Sequence, residues 1–371
     1  MAEIYYSQTS QWEDFLSGLK QSFRIYLPKP KDDDYLYQES KDSIEYSFNS
    51  YRPVQPVKSF FFHPKEKAVT DLFSPEPVED VSPTVVVGLK NCDLHSLKLQ
   101  DFVFAPNLLQ SGVGLGQEGT GFKEGIECDA LYESKRKKTI LISGDCTGFK
   151  EVCFCLALGV LPHPVEGFDL NLSPLTGGFL LEVGSVRGKE LIEKYKKYFI
   201  KAKDSQLSAR DSKRQNLIDE LNNRLKEKGL PDKAALQKIV KDGYNSQVWH
   251  NFCLTCVECG ACNFICCTCH CFLLSDVQEK TRSCAQERDK DKYPRLRVWD
   301  SCQYANFSRV AGGANPLKRR AARLRNRFLK KFDFFVDNMG VPACEGCGRC
   351  IEACPGKIDI REVLKDLAKN A

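Results

Sequence analysis

A repeated cysteine pattern, C-x2-C-x2-C-x3-C, constrains this chain more than any other feature of its sequence. The second copy begins 88 residues after the first and is followed by Pro355. The first copy lies within residues 253–271, where eight of 19 positions are cysteine. Thiols bury less apolar surface than Leu or Val side chains, so hydrophobic packing does not account for this density. Cysteine runs with this spacing are typical of [4Fe–4S] clusters.

Each such cluster needs four thiolates, and one tight run supplies three of them. In proteins with two such runs, the fourth cysteine of each run binds the other cluster. This rule predicts two ligand sets, each for one [4Fe–4S] cluster. Site 1 consists of Cys256, Cys259, Cys262 and Cys354. Site 2 consists of Cys344, Cys347, Cys350 and Cys266.

The N-terminal half carries further cysteines that follow predicted strands. Thr84–Leu89 and Thr139–Ser143 are short runs of branched apolar residues, which predict buried strands. Site 3 consists of the cysteines after them, Cys92, Cys146, Cys153 and Cys155. We predict a third [4Fe–4S] cluster there. Buried structural cysteine stays open as the alternative, because free cysteine behaves as a small hydrophobe, and it is our interpretation of Cys128.

The pattern of elements predicts three parts. Strands that end in cysteine loops predict an α+β (or α/β) domain over residues 1–188. Residues 189–244 are charged, with leucines at helical spacing, and predict a helical linker in which Gly229 ends one helix and Pro231 precedes the next. Residues 245–371 are predicted to form a mainly α-helical, ferredoxin-type domain that holds two clusters.

The composition predicts the cellular compartment and the class of chemistry. The chain has nineteen cysteines, and its N-terminal residues do not resemble a secretory signal peptide. We therefore expect a protein of the reducing cytoplasm whose cysteines serve metal binding or redox chemistry rather than disulfides. Such an abundance of thiols suggests anaerobic life. The longest apolar run, residues 153–161, is shorter than the ~20 residues of a spanning helix, so we expect no membrane span. Five histidines and no Ser/His/Asp constellation argue against acid–base hydrolysis.

Basic side chains crowd one predicted helix between the two cysteine runs: Lys318, Arg319, Arg320, Arg323, Arg325, Arg327, Lys330 and Lys331. They would offset the negative charge of clusters or dock an acidic partner. A solvated helix face is the alternative. The formal net charge of +5 does not by itself imply nucleic acid, and we expect no such partner.

Two other patterns are weaker. A zinc-dependent nucleic-acid binder would use the same basic helix, but zinc sites pair C-x2-C knuckles rather than quadruple runs. Apart from Phe328 and Phe332, the helix also lacks interleaved aromatic side chains on which bases would stack. Gly114–Gly119 matches G-x-G-x-x-G, yet no strand precedes it, so we interpret it as a flexible loop.

Several segments in this order resemble one family. They are Cys92-Asp93, Cys146-x6-Cys153-Phe154-Cys155, the run to Cys271, Trp299-Asp300-Ser301-Cys302-Gln303, Ala311-Gly312-Gly313 and the final Cys-Glu-Gly-Cys-Gly-Arg-Cys run. The chain resembles the iron–sulfur protein family that comprises sulfhydrogenase beta subunits and the iron–sulfur subunits of anaerobic sulfite reductases. The last domain is similar to helical ferredoxins.

This resemblance implies a cytoplasmic electron-transfer subunit of a hetero-oligomer. It would relay electrons between a flavin subunit that exchanges them with NAD(P)H and a catalytic redox partner. That partner would be a hydrogenase, a sulfite or sulfur reductase, or a heterodisulfide-reductase-like complex. The chain itself would then be an electron-transfer component rather than an enzyme.

The sequence departs from the family pattern at several cysteines. Cys267 stands where the family has proline, and Cys253 offers a shifted register for the first run. Three cysteines fit the family motifs but stay unassigned as possible ligands: Cys269, Cys271 and Cys302. They would complete a further cluster with Cys267, Cys284 or an N-terminal thiol. The alternative function is a cluster-based sulfur or disulfide reductase that reacts near Cys267, Cys269 and Cys271.

Overall fold

A computed structural model describes residues 3–41, 44–73, 81–110, 128–279 and 292–370. Cys284 and the glycine loop Gly114–Gly119 lie outside these residues. The strands are β1 Ile4–Gln8, β2 Arg24–Lys31, β3 Asp34–Glu39, β4 Lys65–Val69, β5 Thr84–Leu89, β6 Thr139–Gly144, β7 Leu170–Leu175, β8 Gly178–Val183, β9 Ile200–Lys201, β10 Phe272–Asp276 and β11 Arg295–Trp299.

The helices alternate with the strands in the first half of the chain and dominate the second. They are α1 Thr9–Leu19, α2 Asn91–Phe104, α3 Asn107–Gln110, α4 Ala130–Lys138, α5 Val186–Lys194, α6 Asp204–Lys228, α7 Lys233–Asp242, α8 Val248–Cys253, α9 Ala261–Phe264, α10 Arg320–Leu329, α11 Phe335–Met339, α12 Arg349–Glu352 and α13 Ile360–Lys369. A π-helical turn, Lys330–Phe334, joins α10 to α11.

The N-terminal domain is built on an eight-stranded mixed sheet in the order β3-β2-β5-β6-β7-β8-β1-β9. Its central strands β2, β5, β6 and β7 are parallel. Val85 and Val87 pack toward α1, whereas Val86 packs toward α2 on the other face. Burial on both faces explains why these strands read as continuous apolar runs rather than alternating ones. The predicted strands after which Cys92 and Cys146 follow are confirmed.

Parallel pairing brings two cysteine loops to one edge of this sheet. Leu89 at the end of β5 pairs with Ser143 near the end of β6. The chain therefore leaves both strands at the same edge, because parallel strands end on the same side. Cys92 lies in the first turn of α2, and Cys146 lies two residues after β6.

The predicted pair of linker helices is present as α6 and α7. Gly229 ends α6 in a left-handed conformation with φ of 61°, which glycine adopts without steric cost. The Asp232 side chain then caps α7 by accepting a hydrogen bond from the Ala234 N–H. Helix α6 is mostly polar, yet it buries Leu217 and Leu221.

The C-terminal region contains short helices and a small sheet. Trp249 of α8, Phe328 of α10 and Leu364 of α13 belong to one hydrophobic cluster. Strands β10 and β11 pair with β4 from the N-terminal half to form a three-stranded antiparallel sheet. The prediction of an α/β sheet domain followed by a helical region is confirmed. The prediction that the cluster domain is mainly helical is not, and the boundaries at 188 and 244 stay predictions.

Among the described residues, no helix combines the length and the apolar character that crossing a membrane requires.

Candidate iron–sulfur sites

The four cysteines of site 1 line a single cavity. The run Cys256–Cys262 turns tightly around it because Glu258 and Gly260 adopt left-handed conformations, with φ of 58° and 75°. Cys354 reaches the cavity from the loop after α12. The cavity encloses about 550 Å³ of empty space including its mouth. The structure thus brings together the set that the crossing rule predicts.

The four cysteines of site 2 also converge. Cys266 is 8% exposed and acts electrostatically on each of Cys344, Cys347 and Cys350. It is contributed by the first cysteine run, and the other three come from the second. The structure therefore places the fourth cysteine of each run with the first three of the other.

Sites 1 and 2 are adjacent. Cys350 of site 2 also lines the site 1 cavity and acts electrostatically on Cys262. Burial raises the pKa of Cys262 to about 12. A thiol held in this way is protonated near neutral pH, so metal binding would have to displace its proton.

The basic helix divides into an inner and an outer row. The buried inner row consists of Arg323, Arg327 and Lys331, four residues apart. The exposed outer row consists of Lys318 and Arg319, which precede α10, and Arg320, its first residue. Residues four apart lie on the same face of a helix, so one face points into the cluster region. Neither the charge-offset interpretation nor the solvated-face interpretation covers the whole helix.

The inner row meets the cysteines directly. Lys331 Nζ lies 3.3 Å from Cys266 Sγ and donates to Thr268 Oγ1 at 2.9 Å. Burial alone would lower the pKa of Lys331, but electrostatic interactions with Cys266 and Cys269 raise it well above its usual value. Arg327 acts on Cys262 and Cys350, and its Nε has no hydrogen-bond partner among the described residues.

The four cysteines of site 3 line one cavity at the sheet edge. This cavity encloses about 440 Å³ of empty space, and Leu217 and Leu221 of α6 close one side. Burial raises the pKa of Cys146 to about 12, and it also raises the pKa of Cys155 well above its usual value. Cys92 precedes the other three cysteines by 54 to 63 positions in the sequence. The fold nevertheless brings all four to one cavity.

Sites 2 and 3 share a wall. Gly346 and Cys347 of the second run line the site 3 cavity. The Phe154 N–H donates to the Gly346 carbonyl at 2.8 Å. Gly346 has φ of 62°, and a Cβ there would lie 2.6 Å from the Cys155 backbone. Glycine is required at this position both for its conformation and for this close approach.

Seven buried cations surround the three sites: Arg52, Lys58, Lys90, Arg323, Arg327, Lys331 and Arg349. Burying a charge without a partner is costly, so these cations need counter-charge. Carboxylates supply part of it, since Arg349 lies 2.8 Å from Asp93. N–H groups of Arg52, Arg327 and Arg349 still lack hydrogen-bond partners among the described residues. Thiolate-bound iron–sulfur clusters are negatively charged, so these residues fit such groups.

Sequence reasoning missed most of these cations. Arg349 directly precedes Cys350, and this neighbouring position in the sequence could have identified it as a cation near a cluster site. Arg52 has no such signal, yet its Nε donates to the Cys347 carbonyl at 2.9 Å. Lys90, two residues before Cys92, donates through Nζ to the Asp145 carbonyl at 2.8 Å.

Cys267 lies where sites 2 and 3 meet. It is 1% exposed, and its thiol is in hydrogen-bond contact with Cys266 and Cys347. These contacts and burial raise the pKa of Cys267 well above its usual value. Gln100 Nε2 donates to the Cys267 carbonyl at 2.9 Å. The residue is therefore enclosed and protonated rather than presented to solvent.

Cys271 and Cys302 form a thiol pair beside site 1. Asn263 Nδ2 donates to Cys302 Sγ at 3.0 Å, and Gln303 Nε2 does so at 3.5 Å. The hydrogen bond from Cys271, together with these amides, lowers the pKa of Cys302 to about 5. Cys269 is instead in hydrogen-bond contact with Cys266. The three unassigned cysteines thus divide between two places.

Two cysteines lie apart from the sites. Cys253 donates its thiol proton to the His250 carbonyl at 3.2 Å and packs in the hydrophobic cluster of Trp249. It does not line the site 1 cavity, which favours the unshifted register. Cys128 Sγ donates to Asn107 Oδ1 at 2.8 Å. Within the described ranges, no three His, Cys, Asp or Glu side chains are arranged to hold a single metal ion.

Comparisons with known proteins agree with this geometry. A family model described as a 4Fe-4S dicluster domain matches residues 255–358, which include every site 1 and site 2 cysteine. Over 359 residues the chain is 28% identical to "Sulfhydrogenase 2 subunit beta" of Pyrococcus furiosus, and the alignment covers 96% of each protein. The predicted resemblance to the iron–sulfur subunit family is therefore confirmed: the chain carries a 4Fe-4S dicluster domain and is similar over nearly its whole length to a sulfhydrogenase beta subunit.

Proposed function

We propose that this chain is an electron-transfer subunit with three [4Fe–4S] clusters arranged in series. The observation that carries the proposal is the sharing of walls: Cys347 lines site 3, and Cys350 lines site 1. Site 2 is therefore the middle one, and the order is site 3, site 2, site 1. Bound clusters would supply one-electron carriers, whose potentials depend on charge, burial and hydrogen bonds.

The chain's own residues hold these carriers and set their surroundings. The cysteines of each site are the proposed ligands, with the same assignments as the motifs predict. Arg327 and Lys331 would offset negative charge between sites 1 and 2, and Arg349 would do so between sites 2 and 3. Because these cations are buried, water screens them little, and their effect on a nearby charge is large.

The partners of the proposed subunit follow from the sulfhydrogenase relative and from the family resemblance. We propose a hetero-oligomer that also contains a flavin subunit, which exchanges electrons with NAD(P)H, and a catalytic redox subunit. A hydrogenase, a sulfite or sulfur reductase, or a heterodisulfide-reductase-like complex would fill the catalytic place. Free thiols on this scale fit a reducing cytoplasm and an anaerobic organism.

The cluster count tests the proposal directly. Iron and acid-labile sulfide in anaerobically purified full-length protein should each reach about twelve per chain. About eight of each would remove site 3 from the proposal and leave a two-cluster protein. Roughly four or fewer in a fully loaded chain would contradict the two-cluster version as well.

The alternative function, catalysis at Cys267, Cys269 and Cys271, gains little from the geometry. Cys267 is buried, and the pKa values of Cys267 and Cys269 are raised, so neither is a ready nucleophile. The loaded chain, given a chemical reductant and polysulfide or a small disulfide, should accept electrons without turning over the sulfur substrate. Sustained turnover by the isolated chain would favour the alternative.

A further inference from the structure

We propose that the solvent-facing side of site 1 is the docking surface for an acidic protein that carries one electron at a time. This inference rests on the proposed function, since it needs site 1 to hold a cluster. The surface, here called the site 1 face, consists of Leu254, Val257, Cys259, Lys318, Arg319 and Arg320.

The site 1 face is where the cysteine sites come closest to solvent. Of the 18 cysteines that the structure describes, Cys259 alone is exposed. Leu254 is 61% exposed and Val257 is 64% exposed, and both belong to the same loop. Two large apolar side chains beside an exposed cluster ligand form a small patch that a partner would cover. A protein docked there would bring its own redox group near site 1.

The charge of the site 1 face is positive. The outer row at the N-terminal end of α10, Lys318, Arg319 and Arg320, is exposed. Arg320 Nη1 donates to the Cys256 carbonyl at 2.8 Å, which fixes this row beside the cysteine loop. The nearby carboxylate, Glu258, pairs with the buried Arg323 and also lies 3.8 Å from Arg320, so it offsets part of the Arg320 charge. Lys318 and Arg319 have no carboxylate partner among the described residues, and they keep this face positive. An acidic surface would therefore be steered to this face and held there.

An acidic protein fits this face better than a nucleic acid does. The apolar pair with cations around it has the anatomy of a protein interface, with an apolar centre and a polar rim. Single-stranded nucleic acids need free aromatic rings on which bases stack. Two exposed aromatic rings lie near the helix, Tyr244 and Phe334. Tyr244 is already covered by the Arg325 guanidinium at 3.7 Å, and Phe334 lies in the π-helical turn after α10, at the opposite end from Lys318 and Arg319.

Equilibrium binding tests the proposal, with a small acidic [2Fe–2S] ferredoxin as the probe. The full-length, iron-loaded chain is titrated by calorimetry at low and at high salt, beside the double variant Lys318→Glu/Arg319→Glu. The wild-type chain should bind the probe more weakly as salt rises. The variant should bind it roughly tenfold more weakly than wild type at low salt.

A matched control carries the same change of charge elsewhere. Lys196→Glu/Lys197→Glu alters two exposed lysines in the turn before β9 and should leave probe binding unchanged. Equal weakening by both variants, no salt-dependent binding by wild type, or preferential binding of a single-stranded oligonucleotide would overturn the docking surface. Iron content separates the two proposals: a shortage in wild type contradicts the clusters, whereas full iron with unaltered variant binding contradicts only the docking surface.

Discussion

Sites 1 and 2 on one side and site 3 on the other are built in different ways. Each of the first two takes three cysteines from one run of seven residues and a fourth from the other run. Site 3 collects its cysteines from the start of α2 and from the loops after β6. A compact run positions its sulfurs through local backbone turns, whereas a dispersed site depends on the sheet that holds its loops. The difference teaches that two sites depend on local sequence and one on the tertiary fold.

This contrast has one exception, which is the wall between sites 2 and 3. The second run supplies three cysteines to site 2 and also lines the site 3 cavity through Gly346 and Cys347. The dispersed site is therefore incomplete without the compact one. Variants in this wall should affect both kinds of site, and variants elsewhere should affect only one.

The largest effect is expected from Gly346→Ala. The new Cβ would lie 2.6 Å from the Cys155 backbone, and φ of 62° is strained for alanine. Sites 2 and 3 should both lose their clusters, so iron should fall by about eight of about twelve per chain. Iron analysis and thermal unfolding of the anaerobically purified variant measure this.

Gly229→Ala is the matched control for that change. Gly229 has nearly the same φ, 61°, but no atom lies within 4 Å of its Cβ position. It should keep its iron and lose only about 1 kcal/mol of stability. If Gly346→Ala also kept all its iron, sites 2 and 3 would not share a required wall.

A smaller loss is expected from Cys146→Ala, which separates the dispersed site from the compact ones. Removal of this ligand should lower iron by about four per chain and leave sites 1 and 2 loaded. Electron paramagnetic resonance of the reduced protein should show one fewer spin system. The control is Cys128→Ala, because the Cys128 thiol donates to Asn107 and lies outside all three sites. This variant should change neither the iron content nor the number of spin systems. If the Cys146→Ala protein kept its full iron content, site 3 would be a group of buried structural cysteines and not a cluster site.

The smallest effect is expected from Lys331→Gln. The substitution removes a buried positive charge 3.3 Å from Cys266 Sγ and keeps a hydrogen-bonding side chain. Without that charge, adding an electron at site 2 becomes less favourable, so the potential should fall by on the order of 60 mV, a tenfold change in a one-electron equilibrium. Potentiometric titration of the site 2 signal measures it.

Lys330→Gln provides the comparison for this shift. Lys330 lies on the same π-helical turn, but its ammonium lies 5.7 Å from the Phe307 ring rather than on Cys266. Its substitution should move the site 2 potential less than that of Lys331. Equal shifts would mean that the general charge of the turn matters and not the contact with Cys266.

The sequence predicted the compact sites better than their surroundings. Spacing alone predicted that Cys354 would lie with the first run and Cys266 with the second, and the structure brings these cysteines together in that way. Such a prediction is possible because a short run leaves little freedom in how its cysteines are placed. The strands behind site 3 were also predictable, since Val85 to Val87 and Ile140 to Ile142 form apolar runs that only buried strands explain.

The parts that escaped prediction depend on long-range contacts. Arg52 reaches Cys347 across 295 positions of sequence, and no local pattern encodes that contact. The pairing of β4 with β11 joins the two halves of the chain in the same way. The basic segment looked uniform in sequence, because its charge does not show that Arg327 and Lys331 are buried while Lys318 and Arg319 precede the helix and are exposed. Helical spacing was present, but which face is buried is decided by packing.

The hydrogen bond between Phe154 and Gly346 also bears on how the protein is made. A chain grows from its N-terminus, so the sheet and its cysteine loops emerge long before residue 346 exists. Until then, site 3 lacks a wall, and with the proposed ligands site 2 lacks three cysteines and site 1 lacks Cys354. None of the three sites is complete in a partly synthesised chain. If the three sites hold clusters as proposed, a chain that ends before residue 344 would lack part of every site, and cluster delivery would follow synthesis of the second cysteine run.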